Sequence, residues 1–265
     1  MYVNFIIDNI RLLLYADFGV IVMNKIKLKI ILSAENIICN LFKSEFSRKS
    51  KLPENFTITC HAGSLGTKAN SLDSVRTAID WGADIVEFDV SFRPDGTAVI
   101  IHSASPSAGQ GVLLDDALKI VASVDNCKIN LDIKSTANLP EVDRLVNKHG
   151  LTDRVFYTGV FEDWIDTVKS TSSIPYYLNH KITKEEASDQ NRAIEIIEKT
   201  KELGAIGINS HFENSTAEFC NAAHQNGLLV SLWTVNRISD MARVLSISPD
   251  NITTKRPNIL KNLIK

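Results

Sequence analysis

The chain is short of cysteine, proline and glycine and has no marked excess of either charge, and each shortage narrows the field. Four cysteines in 265 residues, at positions 39, 60, 127 and 220, form no C-x-x-C pair and no metal-like spacing. That disfavours a disulfide framework and a zinc site, and buried reduced thiols in a cytoplasmic protein are expected. Twelve glycines and seven prolines, without any repeat, exclude collagen-like and low-complexity chains. Against 31 acidic side chains stand 29 basic ones, for a formal net charge of −2, and no basic patch lies near aromatics. Nucleic acid is therefore not an expected partner. No G-x-G-x-x-G and no P-loop follows any strand-like run, so the usual support for a doubly wound nucleotide-binding sheet is missing.

Long unbroken apolar runs are also missing. Residues 1–43 hold two apolar stretches, but Asp8, Arg11 and Asp17 interrupt the first, and Lys25, Lys27 and Lys29 the second. Neither reaches the roughly 20 apolar residues of a membrane span, and the charge order of a secretory signal is absent. Membrane contact is not expected, with peripheral association through this segment as the lesser reading; Met23 is a candidate second start. The polar stretch 44–55 reads as the link from an N-terminal extension, residues 1–50, into a main domain spanning 56–265.

What is present from Phe56 onward is an alternation of short strand-like and longer helix-like runs. Eight strands are expected, over 56–60, 84–90, 97–101, 128–133, 154–158, 175–179, 205–209 and 228–233. Helical patterns occupy 71–81, 139–149, 191–203 and 216–226, and Gly82, Gly150 and Gly227 stand where three of the helices should stop. Alternation of this kind predicts an α/β protein, a (β/α)8 TIM barrel with a short N-terminal extension.

Two strands carry an anomaly. In D-I-V-E-F-D-V-S-F, Glu87 and Asp89 are two apart and share one face of a run that otherwise reads as buried. In K-I-N-L-D-I-K, Ile129, Leu131 and Ile133 alternate with Asn130, Asp132 and Lys134. A closed parallel barrel has helices outside and a packed lumen inside, so the polar set must point into the lumen. Three converging carboxylates there repel one another and lose hydration. A hard divalent cation, with Lys134 contributing, is the economical remedy. His61 follows the first strand, and His102 closes the run 97–101 taken here as the third. Both are expected at the C-terminal mouth, where paired imidazoles suit proton transfer in phosphodiester cleavage.

These residues resemble a known family. I-T-C-H-A-G-S, the segment from Ala69 to His102, N-L-D-I-K and V-S-L-W-T-V-N are similar to signatures of the glycerophosphodiester phosphodiesterases, TIM barrels akin to phosphatidylinositol-specific phospholipases. The likeness is dense over 57–102, recurs at 130–134 and 228–236, and is weak between. It implies hydrolysis of a small glycerophosphodiester to glycerol 3-phosphate and an alcohol, with Ca2+ or Mg2+. It implies His61 and His102 as the acid/base pair, Glu87, Asp89 and Asp132 as metal ligands, and Lys134, Asn70 and Trp233 as substrate-binding residues.

The sequence also departs from the family pattern. Ala62 replaces the usual phosphate-gripping arginine, Ser103 replaces an aspartate, and Lys255 stands where an acidic residue is common. Asp132 is one methylene shorter than the usual glutamate, and the stretch between His102 and Asp132 is short, implying a more open mouth. Two alternatives stand beside hydrolysis: a related lyase that forms a cyclic phosphate, and a degenerate barrel that binds metal or phosphoester without turnover. His211 is a further histidine that can reach the site, whereas Cys60 should point away from His61 into the packing.

Overall fold

A computed structural model of the chain describes residues 52–264 together with Ser33 and Ile37. The extension expected over 1–50, including Cys39, otherwise lies outside the described residues. The main domain begins with β1 (Thr57–Cys60), α1 (Leu72–Trp81) and β2 (Ile85–Phe92), then an antiparallel pair, β3 (Ala98–Ile100) and β4 (Val112–Leu113), leading into α2 (Leu114–Val121). It continues with β5 (Lys128–Ile133), α3 (Leu139–Lys148), β6 (Val155–Val160), α4 (Ile165–Thr171), β7 (Tyr176–Asn179), α5 (Lys184–Ser188) and α6 (Gln190–Glu202). Last come β8 (Gly207–His211), α7 (Ala217–Gln225), β9 (Leu229–Trp233), α8 (Ile238–Ser246), β10 (Asn251–Thr254) and α9 (Pro257–Ile264).

Eight strands, β1, β2 and β5 to β10, pair in parallel, and β1 closes the cylinder by pairing with both β2 and β10. This is the expected (β/α)8 barrel, but one of its strands is not the one expected. The run 97–101 does not join the barrel: β3 turns back along β2 antiparallel, with Val90 opposite Ile100 and Phe92 opposite Ala98. Only residues 93–97 connect β2 to β3, far too few for the crossover of a dozen residues that a parallel neighbour needs. The eighth barrel strand is β10, whose sequence N-I-T-T is short and mostly polar yet buried throughout. Read alone, Asn251-Ile252-Thr253 is a glycosylation sequon; in the fold it is a barrel wall.

Local chemistry explains the helix ends. The Ser71 hydroxyl accepts from the Ser74 amide to start α1, and Gly82, at φ 81°, ends it in the left-handed conformation. Strand alternation then sorts the side chains. Val86, Phe88 and Val90 on β2, with Ile129, Leu131 and Ile133 on β5, pack against the helices. Ile208, Val230, Leu232 and Ile252 do the same in a second apolar cluster on the other side of the barrel. The complementary set points inward and is unusually polar, with Glu87, Asp89, Asn130, Thr158, Asn209, Ser231, Asn251 and Thr253 all buried. Among the described residues no helix is long and apolar enough to cross a membrane.

Candidate active site

Register brings the carboxylates together. The β2–β5 pairing sets Glu87 beside Asn130 and Asp89 beside Asp132, so two adjacent strands present acidic side chains on the same inward face. One oxygen from each of Glu87, Asp89 and Asp132 lies within 4.8 Å of the others. Lys134, just past β5, reaches back and donates to Asp89 Oδ1 at 2.9 Å and to Asp132 Oδ2 at 2.7 Å. Although burial opposes its charge, these two carboxylates hold its ammonium at a pKa of about 12.

The three acids are tuned differently. Burial drives Glu87 well above the ordinary carboxylate range, and the charges of Asp89 and Asp132 push the same way. Burial would raise Asp89 too, but Lys134 and the Asn70 amide outweigh it and hold Asp89 below its usual value. Asp132 is raised by burial despite Lys134, and its Oδ1 is buried without a partner among the described residues. A carboxylate oxygen left bare in the interior is costly. Three acids against one lysine leave surplus negative charge, so the donor set fits a hard cation that prefers oxygen ligands. Space is kept for that oxygen by Gly159, at φ 75°, where a Cβ would lie 2.4 Å from Asp132 Oδ1.

Asn70 sits at φ 53°, a left-handed conformation that asparagine tolerates. It grips Asp89 twice: its Nδ2 donates to Oδ2 at 2.6 Å, and its Oδ1 accepts from the Asp89 amide at 3.0 Å. Asn70 therefore orients an acidic side chain.

The histidines arrive by different routes. His61 follows β1 directly, and its Nδ1 donates to the Ala62 carbonyl at 2.9 Å, leaving Nε2 as the acceptor. Burial first, and the nearby Lys255 charge as well, hold its pKa below the ordinary 6.5. The turn after it needs Gly63, at φ 78°, because a Cβ there would meet the Ala69 backbone at 3.0 Å. Ala62, in place of an arginine, is buried and its amide donates to Glu87 Oε2 at 2.7 Å. His102 is carried in by the β2–β3 hairpin, and its Nδ1 donates to Asp89 Oδ2 at 3.1 Å while 82% of the side chain remains exposed.

His61, Glu87, Asp89, His102, Asp132 and Lys134, but not Asn70, line one cavity of about 560 Å³ at the C-terminal end of the barrel, together with Trp233 and His211. Trp233 and His211 meet edge to face at 5.6 Å, and Trp233 Nε1 and His211 Nδ1 are buried without hydrogen-bond partners among the described residues. Sequence reading left His211 open, and it missed Phe161, Trp164, His180 and Lys181, which also line the cavity. Phe161 and His180 each come directly after a barrel strand, where such barrels display functional side chains, and that position was the available signal. Cys60, beside His61, is buried against the helices, with its thiol pushed up to about 12 by burial. Cys60, Cys127 and Cys220 are free thiols.

A parallel barrel with imidazoles and clustered carboxylates around a cation-fitting mouth defines a (β/α)8 phosphoric diester hydrolase. The profile of the glycerophosphoryl diester phosphodiesterase family matches residues 61–112 and 106–259. The chain belongs to that family. It is 24% identical over 237 residues to a glycerophosphodiester phosphodiesterase of Caldanaerobacter subterraneus subsp. tengcongensis, covering 78% of this chain and 97% of the relative. A solved structure from Silicibacter pomeroyi superposes with a TM-score of 0.67 at 19% identity, over 82% of this chain and 95% of that one. An Oleispira antarctica phosphodiesterase, solved with its product sn-glycerol-3-phosphate, gives 0.64 at 18% identity, over 80% and 97%.

Proposed function

We propose that the chain hydrolyses glycerophosphodiesters to glycerol 3-phosphate and an alcohol, with a divalent cation, Mg2+ or Ca2+, held by Glu87, Asp89 and Asp132. The observation that carries this reading is the convergence of His61, His102 and the three carboxylates on one cavity. A cation bound there supplies Lewis-acid polarisation of a phosphoryl oxygen. The chain's own residues do the rest. His61, kept neutral by its lowered pKa, takes the proton from the attacking water on Nε2. His102, its ring set by Asp89 and its outer edge in solvent, gives a proton to the departing alcohol oxygen and is reprotonated from outside. Water adds to phosphorus and the bond to the alcohol breaks, so atoms and protons balance. Lys134 offers the positive charge that faces the phosphate, a role made heavier by alanine at position 62. Trp233, with its unpartnered Nε1, and His211 supply polar atoms for the hydroxyls of the glycerol moiety.

The test is a coupled assay for glycerol 3-phosphate with glycerophosphoglycerol, glycerophosphocholine and glycerophosphoethanolamine, in EDTA and then with Mg2+ or Ca2+ restored. Release that EDTA abolishes and one cation restores is expected. Turnover indifferent to EDTA would refute the cation, and phosphorus NMR showing a cyclic phosphate as final product would refute hydrolysis.

A further inference from the structure

The carboxylate wall accounts for the phosphodiester but not for the alcohol at its far end. Further round the barrel, past β5, the rim of the same cavity carries Phe161 and Trp164 after β6 and His180 and Lys181 after β7. Phe161 is 52% exposed, and its ring meets Trp164 at 6.0 Å with planes 87° apart, so the two form a corner open to solvent. His180 Nε2 donates to the Glu186 carboxylate at 3.0 Å, so in the neutral ring Nδ1 is the acceptor. Lys181 is exposed and makes no ion pair among the described residues. Every carboxylate that lines the cavity is on β2 or β5. Among the described residues none of the lining groups at this end is a carboxylate, and the nearby Glu186 is engaged by His180.

We propose that this rim is the alcohol subsite and that it selects uncharged polyhydroxyl alcohols, glycerol or inositol, over choline. The inference rests on the hydrolase reading above. The glycerol moiety shared by every substrate suits the deeper, unpartnered polar atoms of Trp233 and His211, whereas the variable alcohol belongs at the solvent-open edge. Aromatic faces cover the C–H face of a polyol, the His180 nitrogen accepts from one hydroxyl, and the Lys181 ammonium donates to another. A trimethylammonium group meets the opposite situation. Quaternary ammonium recognition needs several aromatic faces around the cation, and here two rings share the cavity with an ammonium of the same sign. At a contact distance of about 4 Å in water, one such charge is worth about fivefold in affinity.

The experiment compares kcat/KM for sn-glycero-3-phosphoglycerol, sn-glycero-3-phosphoinositol and sn-glycero-3-phosphocholine at low salt. It uses the parent, Lys181→Glu and Phe161→Ala. Because the phosphate is common to all three, the ratio isolates the alcohol. The parent should favour the polyol diesters by about fivefold or more. Lys181→Glu should move the ratio toward choline by at least about tenfold, with the shift shrinking in high salt. Phe161→Ala should raise KM for the polyol diesters while sparing kcat. A parent that prefers choline, or a ratio that Lys181→Glu does not move, would overturn the subsite while leaving the hydrolase intact. If no diester were cleaved by any variant under any cation, both readings would fall together.

Discussion

The lumen of this barrel has two walls made by the same strand alternation, and they come to opposite ends. Below the rim where His211 and Trp233 stand, the inward amides and hydroxyls of β7 to β10 are satisfied by one another and by their neighbours on β1 and β6. Asn209 Nδ2 and the Gly159 amide both donate to Asn179 Oδ1 at 2.9 Å. Asn251 Nδ2 donates to Thr59 Oγ1 at 2.8 Å and Thr57 Oγ1 at 3.0 Å, and its Oδ1 accepts from Ser231 at 3.1 Å. On the wall of β2 and β5 three acids share one lysine, and among the described residues one oxygen goes without a partner. Closed amide networks hold strands together; an open charged one is available to a ligand. Polarity in the interior does not by itself mark a site, whereas unmet polarity does.

Breaking the charged wall should give the largest effects. His61→Ala and His102→Ala should each lower kcat/KM by about 10²–10⁴-fold, with the melting temperature of the exposed His102 variant unchanged; near-parental turnover would remove the acid/base assignment. Asn70→Ala, which frees Asp89 from its double grip, should weaken the apparent cation affinity by about 10–100-fold, visible as a shifted half-saturation with kcat recovered at high cation. If half-saturation stays put, Asn70 does not position Asp89 for a cation.

Stability should separate the walls by sign. Asn251→Ala strips partners from Thr57, Thr59 and Ser231 and should cost about 1–3 kcal/mol, lowering the melting temperature by several degrees with kcat/KM retained. Glu87→Gln should do the reverse in EDTA. Glu87 has a folded pKa above its ordinary 4.5, so the cation-free fold is penalised as pH rises through and past that value. The amide escapes the penalty, and its melting temperature should exceed the parent's by a margin that widens with pH. A Glu87→Gln protein that melts below the parent in EDTA at pH 8 would contradict the electrostatic account.

The smallest effect concerns pH. Since burial lowers the pKa of His61, the imidazole stays unprotonated as the medium is acidified past 6.5. The acid limb of kcat/KM should therefore fall below pH 6.5 and be absent from the residual activity of His61→Ala. A limb above 6.5 would assign it to another group.

How much of this was legible in the chain depends on how local each cause is. Alternation in 84–92 and 128–134 pointed correctly to carboxylates on the inward face, because period two on a strand is a local fact. Register between those strands, which puts Asp89 beside Asp132, is not. β10 escaped notice because the polar side chains of Asn251 and Thr253 look like loop chemistry until Thr57, Thr59 and Ser231 are beside them, about 190 and 20 residues away in the chain. The reversal at β3, by contrast, was available in advance: five residues cannot make a parallel crossover. His102 was identified correctly as converging on the mouth, although the path that takes it there was not.

That path sets up a division of labour. The cylinder closes through β1 and β2 without help from β3 or β4, so one of the two histidines proposed to move protons rides on an attachment rather than on the frame. Inheritance can then act on the two parts separately. Changes in the mostly exposed stretch 103–110 can then retune the placement of His102 while the barrel and its acidic wall pass on intact, whereas Ala98, Val99 and Ile100 are tied into the core.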